Sequence, residues 1–257
     1  MSVPHSPRQN RLLAALPGTD YERMLPFLEG VDLRLGETLY ESGAPREYAY
    51  FPISSIVSLL YVTEDGAPAE IAVVGNEGIV GFSVFMGGDT TTTRAVVQSQ
   101  GHAYRLESGA LREEFGRAGA AMWLLLRYAQ ALMTHMMHTA VCNRHHTIEQ
   151  QLCRWLLLSL DRRQGNQLAL TQEMIANKLG VRRAGITDAA GKLERAGLIR
   201  CSRGSITVVD RRRLEHAACE CYAVVRKECE RLMSDLPSGG ALAASDWRRR
   251  HERRNRF

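Results

Sequence analysis

The sequence predicts an α+β chain: an N-terminal antiparallel β-roll (a double-stranded β-helix), a long dimerisation helix and a C-terminal winged helix-turn-helix. Three observations predict it. Short apolar runs separated by turn residues fill the first third. A stretch free of proline and almost free of glycine follows, with apolar residues at helical spacing. Two short helical segments joined through one glycine then lead into a hairpin pattern.

Bulk properties set the frame. The chain has 257 residues, 45% hydrophobic and 24% charged, an ordinary composition for one or two packed cores. No apolar run reaches the roughly 18 residues that a membrane span requires. Met1 to Asn10 is polar, with no apolar core behind it, so the sequence predicts no signal peptide and a cytoplasmic protein without a membrane partner. The net charge is +5. Much of it lies between Asp246 and Phe257, where six arginines against Asp246 and Glu252 leave +4. Residues 237–257 therefore read as a basic, solvated tail that could add phosphate contacts. The six cysteines read as free thiols. Cys219, Cys221 and Cys229 lack a second well-spaced ligand pair, so no metal site is predicted.

The elements follow in chain order. Asn10–Leu16 and Tyr21–Phe27 read as two short helices broken at Pro17-Gly18. Leu33 to Tyr40 alternates apolar and polar residues as a half-buried strand does. Ile56–Val62 and Ala69–Val74 flank Asp65-Gly66, a strong hairpin signal. Ala95–Gln98 and Ala103–Leu106 flank Ser99 to His102. This spacing predicts a small roll within residues 1–117.

Residues 118–147 read as one helix of nearly 30 positions. Leu125, Tyr128, Leu132, Met136 and Thr139 recur in a near-heptad pattern and are assigned to the dimer interface. A second face carries Leu126, Met133, Met137 and Val141. Two stripes need two partners, the roll and a second copy, so a homodimer paired between Trp123 and Val141 is expected. The pairs Glu113-Glu114 and His145-His146 read as solvated helix surface.

Residues 148–236 read as the winged domain, opening with an amphipathic helix over Ile148–Leu160. Thr171 is a good N-cap for a helix over Gln172–Leu179. Gly180 supplies the left-handed turn, and a second helix runs from Val181-Arg182-Arg183 to about Arg195. Ile175, Ala176, Leu179, Val181, Ile186 and Ala189 fit the shared core of two closely crossing helices. The hairpin around Ser202-Arg203-Gly204-Ser205 is the wing. The partner this predicts is double-stranded DNA. Thr171 and Arg203 are placed for phosphate oxygens, Arg182, Arg183, Gly185, Thr187 and Asp188 for the major groove, and Gln172 is counted among the DNA-binding residues. Arg183 is the best candidate for a bidentate contact to guanine, and Asp188 for orienting an arginine or accepting from cytosine. No phosphate-binding glycine loop, nucleophile elbow or HExxH motif supports an enzyme.

Leu35-Gly36-Glu37, Asp65-Gly66, Leu170 to Ala176, Leu179 to Arg183 and Gly197-Leu198-Ile199 together resemble the CRP/FNR family of bacterial transcription regulators over nearly the whole chain. The resemblance implies a cyclic-nucleotide-binding-type sensor in residues 1–117, a palindromic operator and direct contact with RNA polymerase. Only the first base reader of the family pattern is matched, at Arg183, with Ala184 and Asp188 at the other positions. The stretches similar to the family's effector site are Gly81-Phe82-Ser83 and Thr93-Arg94-Ala95. Phe82 stands where the ribose-binding carboxylate would be, and the arginine comes one place late, which on a strand turns it to the other face. No cofactor and no cyclic AMP binding are therefore expected, and any small-molecule effector is unidentified. With no cysteine before Cys142, the family's N-terminal iron–sulfur cluster is excluded. The alternative reading is a ligand- or redox-sensing interaction protein with weak, non-specific DNA binding.

Overall fold

The computed structural model describes residues 5–88, 90–162 and 165–234. The basic tail at 237–257 and Met1–Pro4 lie outside the described residues. Two short helices open the chain, α1 (Arg11–Ala14) and α2 (Gly18–Met24). The buried Asn10 side chain accepts from the backbone N–H of Leu12 and Leu13, starting α1. Its Nδ2 donates to Pro52 O and Gly78 O at 2.9 Å each, anchoring the helix to the roll.

Seven strands build the roll: β1 (Glu29–Leu33), β2 (Thr38–Tyr40), β3 (Tyr48–Pro52), β4 (Ile56–Val62), β5 (Pro68–Val74), β6 (Thr93–Ser99) and β7 (Gly101–Glu107). They form two antiparallel sheets, ordered β1-β7-β3 and β2-β6-β4-β5. The strand expected over Leu33–Tyr40 is in fact the ends of two. Gly36 turns the chain at φ 80, and the Glu37 carboxylate accepts from the Arg34 N–H at 2.8 Å. Alternation survives across that turn, which is why periodicity alone shows no break where the Leu35-Gly36-Glu37 resemblance marks one. The runs that flank Ser99–His102 are β6 and β7, and they belong to different sheets. β3 gave no recognisable pattern in the sequence.

Helix α3 (Ser108–Gly116) leaves the roll, and the positive φ of Ala118 (53°) separates it from α4 (Ala120–His145), which has 26 residues. The expected solvated pair is half wrong here. Glu114 is buried and holds Arg23 at 2.6 Å, whereas Glu113 is exposed.

The assignment of the dimer stripe is corrected. Leu125, Tyr128 and Leu132 are buried in the core of the roll, with Met136 packed against it. The Tyr128 hydroxyl donates to Ile79 O at 3.2 Å, and Gly78 leaves the room that its ring needs. Thr139 faces the winged domain, accepting from Arg154 at 2.8 Å. These five residues are spent within the chain. The apolar stripe left in solvent is Trp123, Leu126, Met133, Met137 and Val141.

The winged domain comprises α5 (Ile148–Leu160), β8 (Gln167–Leu168), α6 (Gln172–Leu179), α7 (Arg183–Arg195), β9 (Ile199–Ser202), β10 (Ser205–Val208), α8 (Arg211–Ala217) and α9 (Glu220–Ser234). Thr147 and Gln150 form a capping box that starts α5. A second core gathers Leu152, Leu156, Ile175, Ile186, Leu193 and Leu214. Among the described residues no helix is long and apolar enough to cross a membrane.

Candidate nucleic-acid interface

Helices α6 and α7 cross as the spacing predicts. The Thr171 side chain accepts from Met174 N–H at 3.2 Å, satisfying one orphan donor of the first helical turn. Gly180 adopts φ 65, and its N–H and that of Val181 both donate to Ala176 O, closing the end of α6. Ile175, Ala176 and Leu179 then meet Ile186, Ala189, Ala190 and Leu193 in one buried layer. Because apolar residues occupy one side of α7, Arg182, Arg183, Ala184, Thr187 and Asp188 fall on the solvent side.

The predicted residues take distinct positions on this face. Arg183 pairs with Glu173 at 3.5 Å, both side chains being more than half exposed. Such a pair is worth less than about 1 kcal/mol, so the guanidinium is free to leave it. The Thr187 hydroxyl lies 2.7 Å from Gln172 Oε1, joining the two helices at the exposed seam. Among the described residues neither Arg182 nor Arg203 makes an ion pair, and Arg203 occupies the tip of the β9–β10 wing beside Gly204 at φ 76. Two expectations are corrected. Gly185 does not face the groove side: a Cβ there would come within 2.8 Å of Ile148 Cδ1, so this glycine allows α5 to approach. Asp188 is paired with a lysine, not an arginine, reaching Lys192 at 3.0 Å one turn on. Lys192 also bonds Glu149, and these two carboxylates, Glu149 first, raise its pKa above the usual lysine value. The sequence reading missed Lys192, although its i+4 spacing from Asp188 signals the pair.

The residues resembling an effector site do not converge. Gly81 stands at φ 93 before a tight turn over Phe82–Val84, and Phe82 packs against the core of the roll. Thr93 is buried and its hydroxyl lies 3.1 Å from that of Thr91. Arg94 points to the other face of β6, where it bonds Glu41 at 2.6 Å. Among the described residues no hydrogen bond or ion pair joins Gly81–Ser83 to Thr93–Arg94.

A second constellation was not expected. Cys142, His146, Cys219 and Cys221 bring one ligand atom each to within 4.8 Å of one another. His146 is thus not solvated helix surface, as the His145-His146 pair was read: Cys221 Sγ lies 3.8 Å from its Nδ1, and Glu220 holds its Nε2 at 3.2 Å. Cys219-x-Cys221 looked isolated because its second pair, Cys142-x3-His146, stands more than 70 residues earlier.

Two family models match the chain, a cyclic nucleotide-binding domain over residues 31–117 and a Crp-like helix-turn-helix domain over 150–217. Among curated proteins no sequence matches. Among solved structures, FixK2 from Bradyrhizobium japonicum is similar at 17% identity and TM-score 0.63, over 75% of this chain and 98% of that one. A transcriptional regulator of the CRP family from Thermus thermophilus, TTHB099, is similar at 20% identity and TM-score 0.61, over 73% and 96%. The c-di-GMP-responsive global regulator CLP from Xanthomonas campestris shares 17% identity at TM-score 0.59, over 75% and 99%. At these identities the structural likeness establishes the fold.

Proposed function

The chain belongs to the CRP/FNR family of transcription regulators, and from that premise we propose that two copies pair along α4 and read a palindromic operator through α7. The observation that carries this reading is the division of α7. Ile186, Ala189, Ala190 and Leu193 are buried, while Arg182, Arg183 and Thr187 stay in solvent beside an arginine-tipped wing. Arg183 reads a base by a bidentate contact to guanine with Arg182 beside it on the groove side, and Thr171 and Arg203 hold phosphates. Pairing through Trp123, Leu126, Met133, Met137 and Val141 sets the recognition helices about one DNA turn apart, roughly 34 Å. The bound dimer then meets RNA polymerase, as the family resemblance implies. An effector acting on the roll would shift the population of helix arrangements competent for DNA. Cyclic AMP is a poor fit for that role, since Phe82 is apolar and Arg94 is held by Glu41 on the far face.

Genome-wide footprinting of wild type against Arg183→Ala tests the assignment. Losing one bidentate base contact, about 1–3 kcal/mol, weakens specific sites some 5- to 150-fold while non-specific binding persists. Unchanged occupancy of specific sites would remove the base-reading role.

A further inference from the structure

We propose that Cys142, His146, Cys219 and Cys221 bind one zinc ion that pins the end of the long helix to the start of the last one. Cys142 lies on the final turn of α4 and His146 is the residue that caps it, four positions on and therefore on the same face. Cys219 and Cys221 flank Glu220 where the chain enters α9. Topology alone would separate these pairs; the packing of α9 along α4 brings them together.

The four ligand atoms already stand close to the spacing the ion needs. Zinc bonds of about 2.3 Å to sulfur and 2.0–2.1 Å to nitrogen, arranged tetrahedrally, give sulfur–sulfur edges of about 3.8 Å and sulfur–nitrogen edges of about 3.6 Å. Cys142 Sγ and Cys219 Sγ are 3.5 Å apart and Cys221 Sγ and His146 Nδ1 are 3.8 Å apart, each within about 0.3 Å of its edge, and all four atoms lie within 4.8 Å of one another. The three cysteines are buried and form a cluster of their own. Glu220 Oε1 lies 3.2 Å from His146 Nε2, the carboxylate contact that fixes the ring of a zinc-bound histidine and leaves its other nitrogen for the metal. Gln151 Nε2 donates to His146 O at 2.9 Å, steadying the turn that carries two of the ligands. Three thiolates and an imidazole select a borderline-soft ion over magnesium or calcium, and four protein ligands leave no open position for catalysis. A disulfide between Cys142 and Cys219 would need a sulfur–sulfur distance of about 2.05 Å. It would also leave His146, Cys221 and the Glu220 contact without a purpose.

The site spans the junction between the two domains. Thr147, next to His146, starts α5, so the ion would brace the turn between the long helix and the winged domain.

Metal content decides the matter without DNA, so its outcome is independent of the operator reading. Full-length protein purified under reducing conditions from zinc-supplemented cells is expected to carry about one zinc per chain by plasma mass spectrometry. Cobalt added to the zinc-free chain should give the visible bands of a tetrahedral site and a thiolate-to-cobalt charge-transfer band. Cys219→Ser should hold less than half the metal, and Cys201→Ser should match wild type. Wild type without zinc, an octahedral cobalt spectrum, or equal metal in Cys219→Ser and wild type would each overturn the assignment. So would a Cys142–Cys219 disulfide that persists under reduction. If Cys219→Ser does not fold, the wild-type stoichiometry and cobalt spectrum still decide.

Discussion

Lys178 Nζ lies 3.1 Å from Glu70 Oε2, an ion pair that joins α6 of the winged domain to β5 of the roll with both side chains largely out of solvent. Both carboxylate oxygens are occupied, since Trp155 Nε1 donates to Glu70 Oε1 at 2.7 Å. Lys178 also donates to Ser58 Oγ at 2.6 Å, and Ser58 donates to Gln98 at 2.9 Å. One carboxylate thus organises contacts from α5, α6 and two strands of the roll.

Removing it leaves a desolvated lysine and an unpaired indole N–H. Glu70→Ala should lower stability by about 3–5 kcal/mol, the range for breaking a buried pair from one side. Glu70→Leu combined with Lys178→Met should recover most of that loss, because the double replacement buries no charge. Urea denaturation of the two variants against wild type measures both, and a loss under 1 kcal/mol in the single variant would show the junction to be solvated.

The exposed stripe on α4 gives the next prediction. Met137 is 60% exposed and Met133 50%. A charge at the centre of an apolar interface has no partner there, so Met137→Asp should sediment as a monomer. Its melting temperature should change little on folding grounds alone, since isolated surface substitutions stay within about 0.5 kcal/mol. Leu132→Ala should instead lose about 2–5 kcal/mol of stability, as a core truncation does. A Met137→Asp chain that still sediments as a dimer would place the pairing face elsewhere.

That contrast marks what was legible in the sequence. The helix-turn-helix was readable because its determinants are contiguous: a cap at Thr171, a turn at Gly180 and apolar spacing from Ile175 to Ala189 all act within one short segment. The two stripes of α4 were equally visible, but helical spacing does not say which one meets the roll. Tyr128 settles it, through Ile79 O and the space at Gly78, residues nearly 50 positions away. Alternation from Leu33 to Tyr40 continues across Gly36, so periodicity alone ran the strand through a turn that only the family resemblance marked, and the Cys142–Cys219 proximity was hidden by a separation of 77 residues. Gly185 was placed on the exposed face because helical spacing cannot show that α5 packs there.

Gly101 marks the point where the chain crosses from one sheet to the other, and its side-chain position is occupied by backbone. A Cβ would lie 2.6 Å from Ser54 C and from Ser55 N. Backbone cannot rotate aside as a side-chain terminus can, so Gly101→Ala should destabilise the roll by about 1–3 kcal/mol, the cost of overpacking. Gly109→Ala, with no atom near its Cβ position and in a helix, should be neutral or stabilising by up to about 1 kcal/mol. Thermal melts of the pair check this, and equal melting temperatures would mean that the β6–β7 crossing relaxes freely.

His135 supplies a pH dependence with a definite sign. Its ring is buried on α4, and burial first, then the cations Arg162 and Arg154 and the neighbouring His138, hold its pKa well below the ordinary histidine value. The folded chain therefore keeps the ring neutral where the unfolded chain, with a pKa of about 6.5, takes up a proton. The unfolded state binds more protons below that value, so stability falls as pH drops from about 6.5 towards the depressed folded pKa. The slope from this one group is at most about 1.4 kcal/mol per pH unit, and above pH 7 its contribution is flat. Urea denaturation at pH 7.5 and 5.5 should show a smaller acid loss in His135→Gln than in wild type. Other titrating groups are common to both chains and cancel in the difference. An acid loss of equal size in the two would mean that the ring is already protonated, or reached by water, in the folded protein.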